Sequence, residues 1–269
     1  MRSDLSGLAR YRHPCDRVPV IQEPASPNER SANERSTIAD PVRLLEGLAT
    51  TRSIRRYTSD PIPDHDLSTI LFSATRAPTG SNRQNFRFVV LRDGPVAAQG
   101  KALLGEAFRK GWSEKRSDDG YDQGSGTAED SPKARTARAM QHFVDHFEQT
   151  PVVVLGCIRG RHRDFQDGAS IFPACQNLLL AARALGYGGV MTGWHRMVEA
   201  ELRQLVGIPD DVTIAATIPL GKPQGKHGPV RRRPIKELVF DDAWEQPASW
   251  AQDPEGTQFT QAGPPKPRP

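Results

Sequence analysis

The sequence predicts an α/β (α+β) chain, and three observations predict it. Short, almost wholly apolar runs at Phe86–Leu91, Pro151–Ile158 and Val212–Leu220 read as buried strands. Around them apolar residues recur at helical spacing, as at Leu67, Ile70, Leu71 and Ala74. One helix, Ala169–Leu185, is apolar nearly all round and has to be covered on several sides, by its own chain or by a second subunit.

The 269 residues are 36 % hydrophobic and 25 % charged. That apolar share is low for a globular chain, so part of it is expected outside the core. No run approaches the roughly 18 consecutive apolar residues of a membrane span. Met1-Arg2-Ser3-Asp4-Leu5 lacks an apolar h-region, so no secretory signal is read there. Cys15, Cys157 and Cys175 are scattered and have no CxxC spacing, which argues against a disulfide framework or zinc site and for a reducing cytoplasm. The net charge of +4 and pI of about 9.1 would attract nucleic acid or a phosphorylated cofactor.

Along the chain, residues 1–36 read as an arm, disordered or wrapped on a partner. Four prolines break its period, and Gln22–Ser36 is almost wholly polar. The folded domain, 37–245, opens with Asp40 as N-cap and Pro41 at the first helical position, and turns Val42, Leu45, Leu48 and Ala49 inward. Asp64 caps a second helix, which Pro78 stops at Ala77. Phe86–Leu91 is too apolar for an edge strand and is expected to be central. A helix after Pro95 points Leu103, Leu104, Ala107 and Phe108 inward. Asp118–Pro132 reads as a long loop, and the stretch from Trp112 to Thr127 as a lid over a pocket. Another helix carries Met140, Phe143, Val144 and Phe147. Gly186 ends the apolar helix, Val198–Val206 forms a short one, Ile235–Phe240 reads as a fourth strand at a sheet edge, and 246–269 as a flexible tail.

Four stretches offer chemistry. Arg52-Ser53-Ile54-Arg55 places two guanidinium forks in one turn, suited to phosphate or carbonyl oxygens, although a solvated turn is the ordinary reading of a lone arginine cluster. Asn82 and Gln84 sit in the loop before Phe86. Their amides donate and accept, which fits the edge of a flat heterocycle, while the plain alternative is a helix-to-strand turn. Val190-Met191-Thr192-Gly193 follows two more glycines, and by themselves these suit a bulge or a close helix–strand contact. Arg231-Arg232-Arg233 is an anion clamp or a solvated charge run. Gly186-x-Gly188-Gly189 is not GxGxxG, because Met191 takes the last place, and Gly221–Gly228 lacks the phosphate-loop spacing. There is no Ser-His-Asp or metal-ligand pattern, so no catalytic side chain and no metal are assigned. His195 would face substrate or, as the more ordinary reading, be a surface or core histidine.

In this order, Thr51–Tyr57, the Asn82–Gln84 loop, Gly186–Gly193, Gly207–Asp211, Ile218–Pro223 and Arg231–Pro234 resemble the FMN-dependent nitroreductase family (NAD(P)H:flavin oxidoreductase-like) over about Asp40–Trp244. The resemblance implies a nitroreductase-like fold: a mostly antiparallel central sheet flanked by helices, in an intertwined homodimer with FMN at the interface. It implies that Arg52, Ser53 and Arg55 bind the phosphate, ribityl chain and pyrimidine edge. Asn82 and Gln84 would meet the flavin ring, Thr192 and Gly193 would lie against it near N5, and Arg231 and Arg232, with Arg233 beside them, would close on the phosphate. Many relatives carry a basic residue in place of Thr51, and Pro-Trp in place of Asn85-Phe86.

The implied activity is ping-pong hydride transfer from NAD(P)H through flavin N5 to a nitroaromatic, quinone or similar small acceptor. Alternatives are a specialised reaction on the same fold (dehalogenation, oxidation, flavin destruction) and a flavin carrier without turnover. A basic nucleic-acid binder using Arg52–Arg56 and Arg231–Arg233 ranks lower, because aromatic content is only 7 % and no RNA-binding motif is visible. The expected partners are a second copy and a small acceptor, with no nucleic acid and no membrane.

Overall fold

The computed structural model describes residues 43–160 and 165–259. The arm expected over 1–36, the Asp40–Pro41 helix start, Val42, Cys15 and residues 260–269 lie outside the described residues. In chain order the elements are α1 (Leu44–Thr50), α2 (Asp64–Ala74), β1 (Phe86–Leu91), α3 (Pro95–Asp118), α4 (Pro132–Asp145), β2 (Val152–Arg159), α5 (Phe165–Ala184), β3 (Gly188–Gly189), α6 (Glu199–Val206) and β4 (Val212–Gly221).

The strands form one sheet in the order β1-β2-β4-β3, with antiparallel neighbours throughout, as the resemblance implied. β2 is its spine, and its side chains alternate between two apolar layers. Val153, Leu155 and Cys157 face a cluster with Leu104, Phe108 and Trp112 of α3, Phe143 of α4 and Leu202 of α6. Val152, Val154 and Ile158 face a second cluster with Ile70 of α2 and Ile171 and Leu178 of α5. Each fully buried large side chain contributes about 1.5–3 kcal/mol, so two helical layers on one sheet secure the fold. Local chemistry starts the helices where they are needed. At α4 the Ser131 hydroxyl accepts from the Ala134 amide at 3.0 Å, and Pro132 occupies the first turn.

Four expectations change. β1 lies at the sheet edge rather than its centre. Val89 packs on one cluster and Phe88 and Val90 on the other, so its apolar content reports cover on two faces, not strand neighbours. Trp112 is no lid residue: it lies inside α3, is fully buried, and its indole N–H donates to Gln141 Oε1 at 2.9 Å. Ile235–Glu237 is a 3-10 turn rather than a strand, set by Pro234 before it and by the Asp253 carboxylate accepting the Ile235 amide at 3.1 Å. Finally, α1 turns Gly47 inward and leaves Leu44, Leu45 and Leu48 exposed at 68 %, 79 % and 49 %.

Residues 246–259 pack against the preceding segment: Ala248 and Ala251 are buried, and the Trp250 indole N–H donates to Asp241 at 3.1 Å. Among the described residues no helix is long and apolar enough to cross a membrane.

Candidate functional site

The basic turn after α1 is tied to the end of the sheet. The Ile54 amide donates to the Gly189 carbonyl at 2.9 Å. Tyr57 lies over Gly221, and its hydroxyl donates to the Ile54 carbonyl at 2.5 Å. The amide of Gln224 donates to the Arg56 carbonyl at 3.0 Å, and its side chain to the Tyr57 carbonyl at 2.7 Å. Thus the residues after β4 are stitched to the residues after α1.

Between them lies a cavity of about 870 Å³. Arg52, Ser53, Arg55, Arg231 and Arg232 all line it, so two of the stretches singled out in the sequence meet there. Arg233 turns away to Glu237, with Nε 2.9 Å from Oε2. No carboxylate is among the lining residues. Burial, reinforced by the neighbouring Arg52 charge, lowers the Arg55 guanidinium from its ordinary value. A guanidinium nonetheless stays charged. A permanently positive wall of this kind, in which Arg55 is half-buried and Arg52, Arg231 and Arg232 are exposed, suits an anion or a polarised carbonyl edge.

Arg56, singled out in the sequence only as part of a basic cluster, lines it too, and further lining residues had no sequence signal: Arg135 and Thr136 of α4, Lys226 and Gln258. Arg135 reads in the sequence as one more polar position on an amphipathic helix. Gln258 arrives through the C-terminal segment, where the Arg232 amide donates to the Gln258 carbonyl at 3.2 Å. Neither position carries a local signal.

Asn82 and Gln84 are elsewhere. They occupy an exposed loop at the start of β1, in which Ser81, Asn82 and Gln84 take φ of 52°, 51° and 49°. Non-glycine residues rarely adopt that left-handed region, and such strain concentrates at functional loops. The two amides bind each other, Gln84 Nε2 donating to Asn82 Oδ1 at 3.2 Å. This loop leads into Phe86, which pairs with Ile158, whereas Gly189 is in register with Leu220 and through it with Val152. Six residue steps along β2, from Val152 to Ile158, therefore separate the two levels, about 20 Å at ~3.3 Å per residue, and the loops sit on opposite edges of the sheet.

Thr192 and Gly193 fall between these levels. Thr192 exchanges both backbone hydrogen bonds with Thr217, at 3.0 and 2.9 Å. Gly193 is exposed, and a Cβ built on it would meet only Arg196 Nε, at 3.9 Å. His195 is a core residue: it is fully buried, with Nε2 2.9 Å from the Ile214 carbonyl.

Comparison with known proteins places this geometry in context. The sequence model of the nitroreductase family matches residues 48–222. A Thermus thermophilus protein named NADH dehydrogenase is 29 % identical over 210 residues, covering 70 % of this chain and 91 % of its own. The NADPH-flavin oxidoreductase of Vibrio harveyi is 24 % identical over 221 residues, covering 75 % of each chain. A solved nitroreductase with bound FMN from Desulfitobacterium hafniense superposes with a TM-score of 0.54 at 20 % identity, covering 73 % of this chain and 96 % of that one.

Proposed function

The chain belongs to the nitroreductase family, and we propose that it is an NAD(P)H-dependent oxidoreductase that carries FMN and works as a homodimer. One observation carries the reading: Arg52, Ser53, Arg55, Arg231 and Arg232, far apart in sequence, line one cavity with no carboxylate among its lining residues. That donor set fits a phosphorylated, carbonyl-rich ligand. Flavin in the names of the Vibrio harveyi relative and the Desulfitobacterium hafniense structure supports the same choice.

FMN supplies the hydride relay between a reduced nicotinamide and an acceptor, while the protein binds, orients and polarises. Arg52, Arg231 and Arg232 hold the phosphate through charge-assisted hydrogen bonds, and the Ser53 hydroxyl adds a neutral one. Arg55, half-buried and permanently charged, holds negative charge at the pyrimidine edge. Gly193 and the Thr192 backbone offer the ring a surface without a side chain. Asn82 and Gln84 lie too far away to serve the same site from the same chain, so they serve as residues of the partner subunit. The exposed leucines of α1 give that partner an apolar surface to cover, and the outer edge of β1 offers it unpaired backbone groups.

Donor and acceptor use the same cavity in turn, which makes the cycle ping-pong, with a nitroaromatic, quinone or similar molecule as acceptor. The test is the absorption spectrum of the purified protein, taken anaerobically with NADPH and then NADH. Flavin bands that bleach are the expected result. A colourless protein that also fails to take up added FMN would overturn the assignment.

A further inference from the structure

The cavity holds more positive charge than its flavin role requires. Seven side-chain cations line it, from the basic turn, α4, the segment after β4 and Arg231–Arg232. Among the described residues none of the seven forms an ion pair. Elsewhere the chain pairs its arginines: Arg92 with Asp64, Arg109 with Glu148, Arg116 with Asp122, Arg159 with Asp211 and Arg233 with Glu237. One phosphate monoester brings about −2, which the three charges of Arg52, Arg231 and Arg232 already exceed. Arg55 serves the ring edge, which leaves Arg56, beside it on the same turn, and Arg135 and Lys226 from other elements.

Arg135 has no part in that arrangement. It enters the cavity from α4, a different wall. Its Nη1 donates to the Asp130 carbonyl at 2.5 Å, which aims the side chain without cancelling its charge. It stands in the first turns of α4, where the helix dipole adds to the positive field. Lys226, on the segment after β4, lines the same cavity. At about 870 Å³ the cavity is near the upper end of the roughly 300–1,000 Å³ typical of small-molecule sites, with room for more than one anionic group.

Resting on the flavin reading above, we propose that Arg135, with Lys226, forms a subsite for the 2′-phosphate of the nicotinamide donor, which makes NADPH the preferred donor over NADH. The two donors share a pyrophosphate, and only NADPH adds a monoester. A guanidinium fork can take two of its oxygens together, so Arg135 discriminates where a pyrophosphate contact would not.

The test uses the full-length, FMN-loaded protein and two probes, 2′,5′-ADP and 5′-AMP, titrated by calorimetry at low salt. The wild type should bind 2′,5′-ADP at least about tenfold more tightly, the size of one charge-assisted contact. Arg135→Gln should bring the two probes within about twofold, and the NADPH:NADH ratio of kcat/KM should fall about tenfold. Arg135→Lys, which keeps the charge and loses the fork, should fall between, and its intermediate value separates a lost contact from a lost fold. Equal affinity of the wild type for the two probes would overturn the proposal. So would an Arg135→Gln variant that weakens both alike. Failure of the flavin reading shows differently, as a protein without a flavin spectrum.

Discussion

The amide of Ile54 donates to the Gly189 carbonyl at 2.9 Å, and the Ile54 side chain fills the space beside Gly188. A Cβ built on Gly188 would lie 2.6 Å from Ile54 Cγ1, too close for packed atoms. This contact seats the Arg52–Arg56 turn on the end of the sheet. Gly188→Ala is expected to cost about 1–3 kcal/mol, the usual range for overpacking, and to weaken FMN binding by shifting Arg52 and Arg55. Thermal unfolding and FMN titration read the two effects. If neither moves, the turn is not held through this glycine.

Gly193 makes the opposite prediction. The nearest atom to an added Cβ is 3.9 Å away, and its φ of −116° is open to alanine. Gly193→Ala should therefore leave stability within about 0.5 kcal/mol. If a flavin ring lies against this backbone, the methyl stands in its way. FMN affinity should fall at least about fivefold, from a steric cost of ~1 kcal/mol or more. An unchanged dissociation constant would place the ring elsewhere.

These glycines also mark where the sequence is legible and where it is not. β1, β2 and β4 were readable because apolar runs of strand length have few other uses, α2 because its apolar residues fall at helical spacing, and α5 because its long run is apolar nearly all round. The two-residue β3 left no such trace, since Gly188 and Gly189 have no side chains to alternate and their role is close approach. α3 runs 24 residues through Gly100, Gly105 and Gly111. Those glycines read locally as helix-weakening, yet Gly100 packs on Leu91 and Gly111 on Trp194. Ile235–Phe240 looked like a strand by composition, and a proline and a distant carboxylate overrode it. In the candidate site, the arginines after α1 and those after β4 were readable as separate motifs. Their meeting, and the arrival of Arg135 and Gln258, depend on tertiary structure that no local pattern encodes.

His195 gives a pH prediction. Burial, helped by the Arg196 charge, lowers its pKa against the opposing pull of the Ile214 carbonyl and Glu199. Below the unfolded value of about 6.5 the unfolded chain then binds the extra proton, so stability falls as pH drops, by at most about 1.4 kcal/mol per unit for one proton. His227, also lowered by burial, adds to the same slope. His195→Gln keeps an amide donor for the Ile214 carbonyl and does not titrate. Its melting temperature should depend less on pH than the wild type's between about 6.5 and 5. Identical slopes would mean that His195 is not the group being protonated.

The separation of Asn82 from Arg52 gives the most direct test of a shared site. The loop of Asn82 stands about 20 Å along the sheet, and on the opposite edge, from the turn that carries Arg52. In a two-fold dimer, each site would then join the Arg52 turn of one protomer to the Asn82 loop of its partner. Take Arg52→Ala, which removes a phosphate contact, and Asn82→Asp, which keeps a residue tolerant of positive φ and sets a negative charge against the ring. Each variant alone should be nearly inactive, because every site in its homodimer carries the defect. Co-expressed with different tags and purified through both, the mixed dimer should recover about half the wild-type activity per dimer. One of its sites collects both defects and the other is intact. A site built within one chain predicts the reverse: each of the two sites keeps one defect, and activity stays at the level of the single variants. Recovery therefore requires that the two halves come from different chains, and its absence in a dimer confirmed by mass would falsify the two-chain site while leaving the cavity of Arg52, Arg55, Arg231 and Arg232 in place.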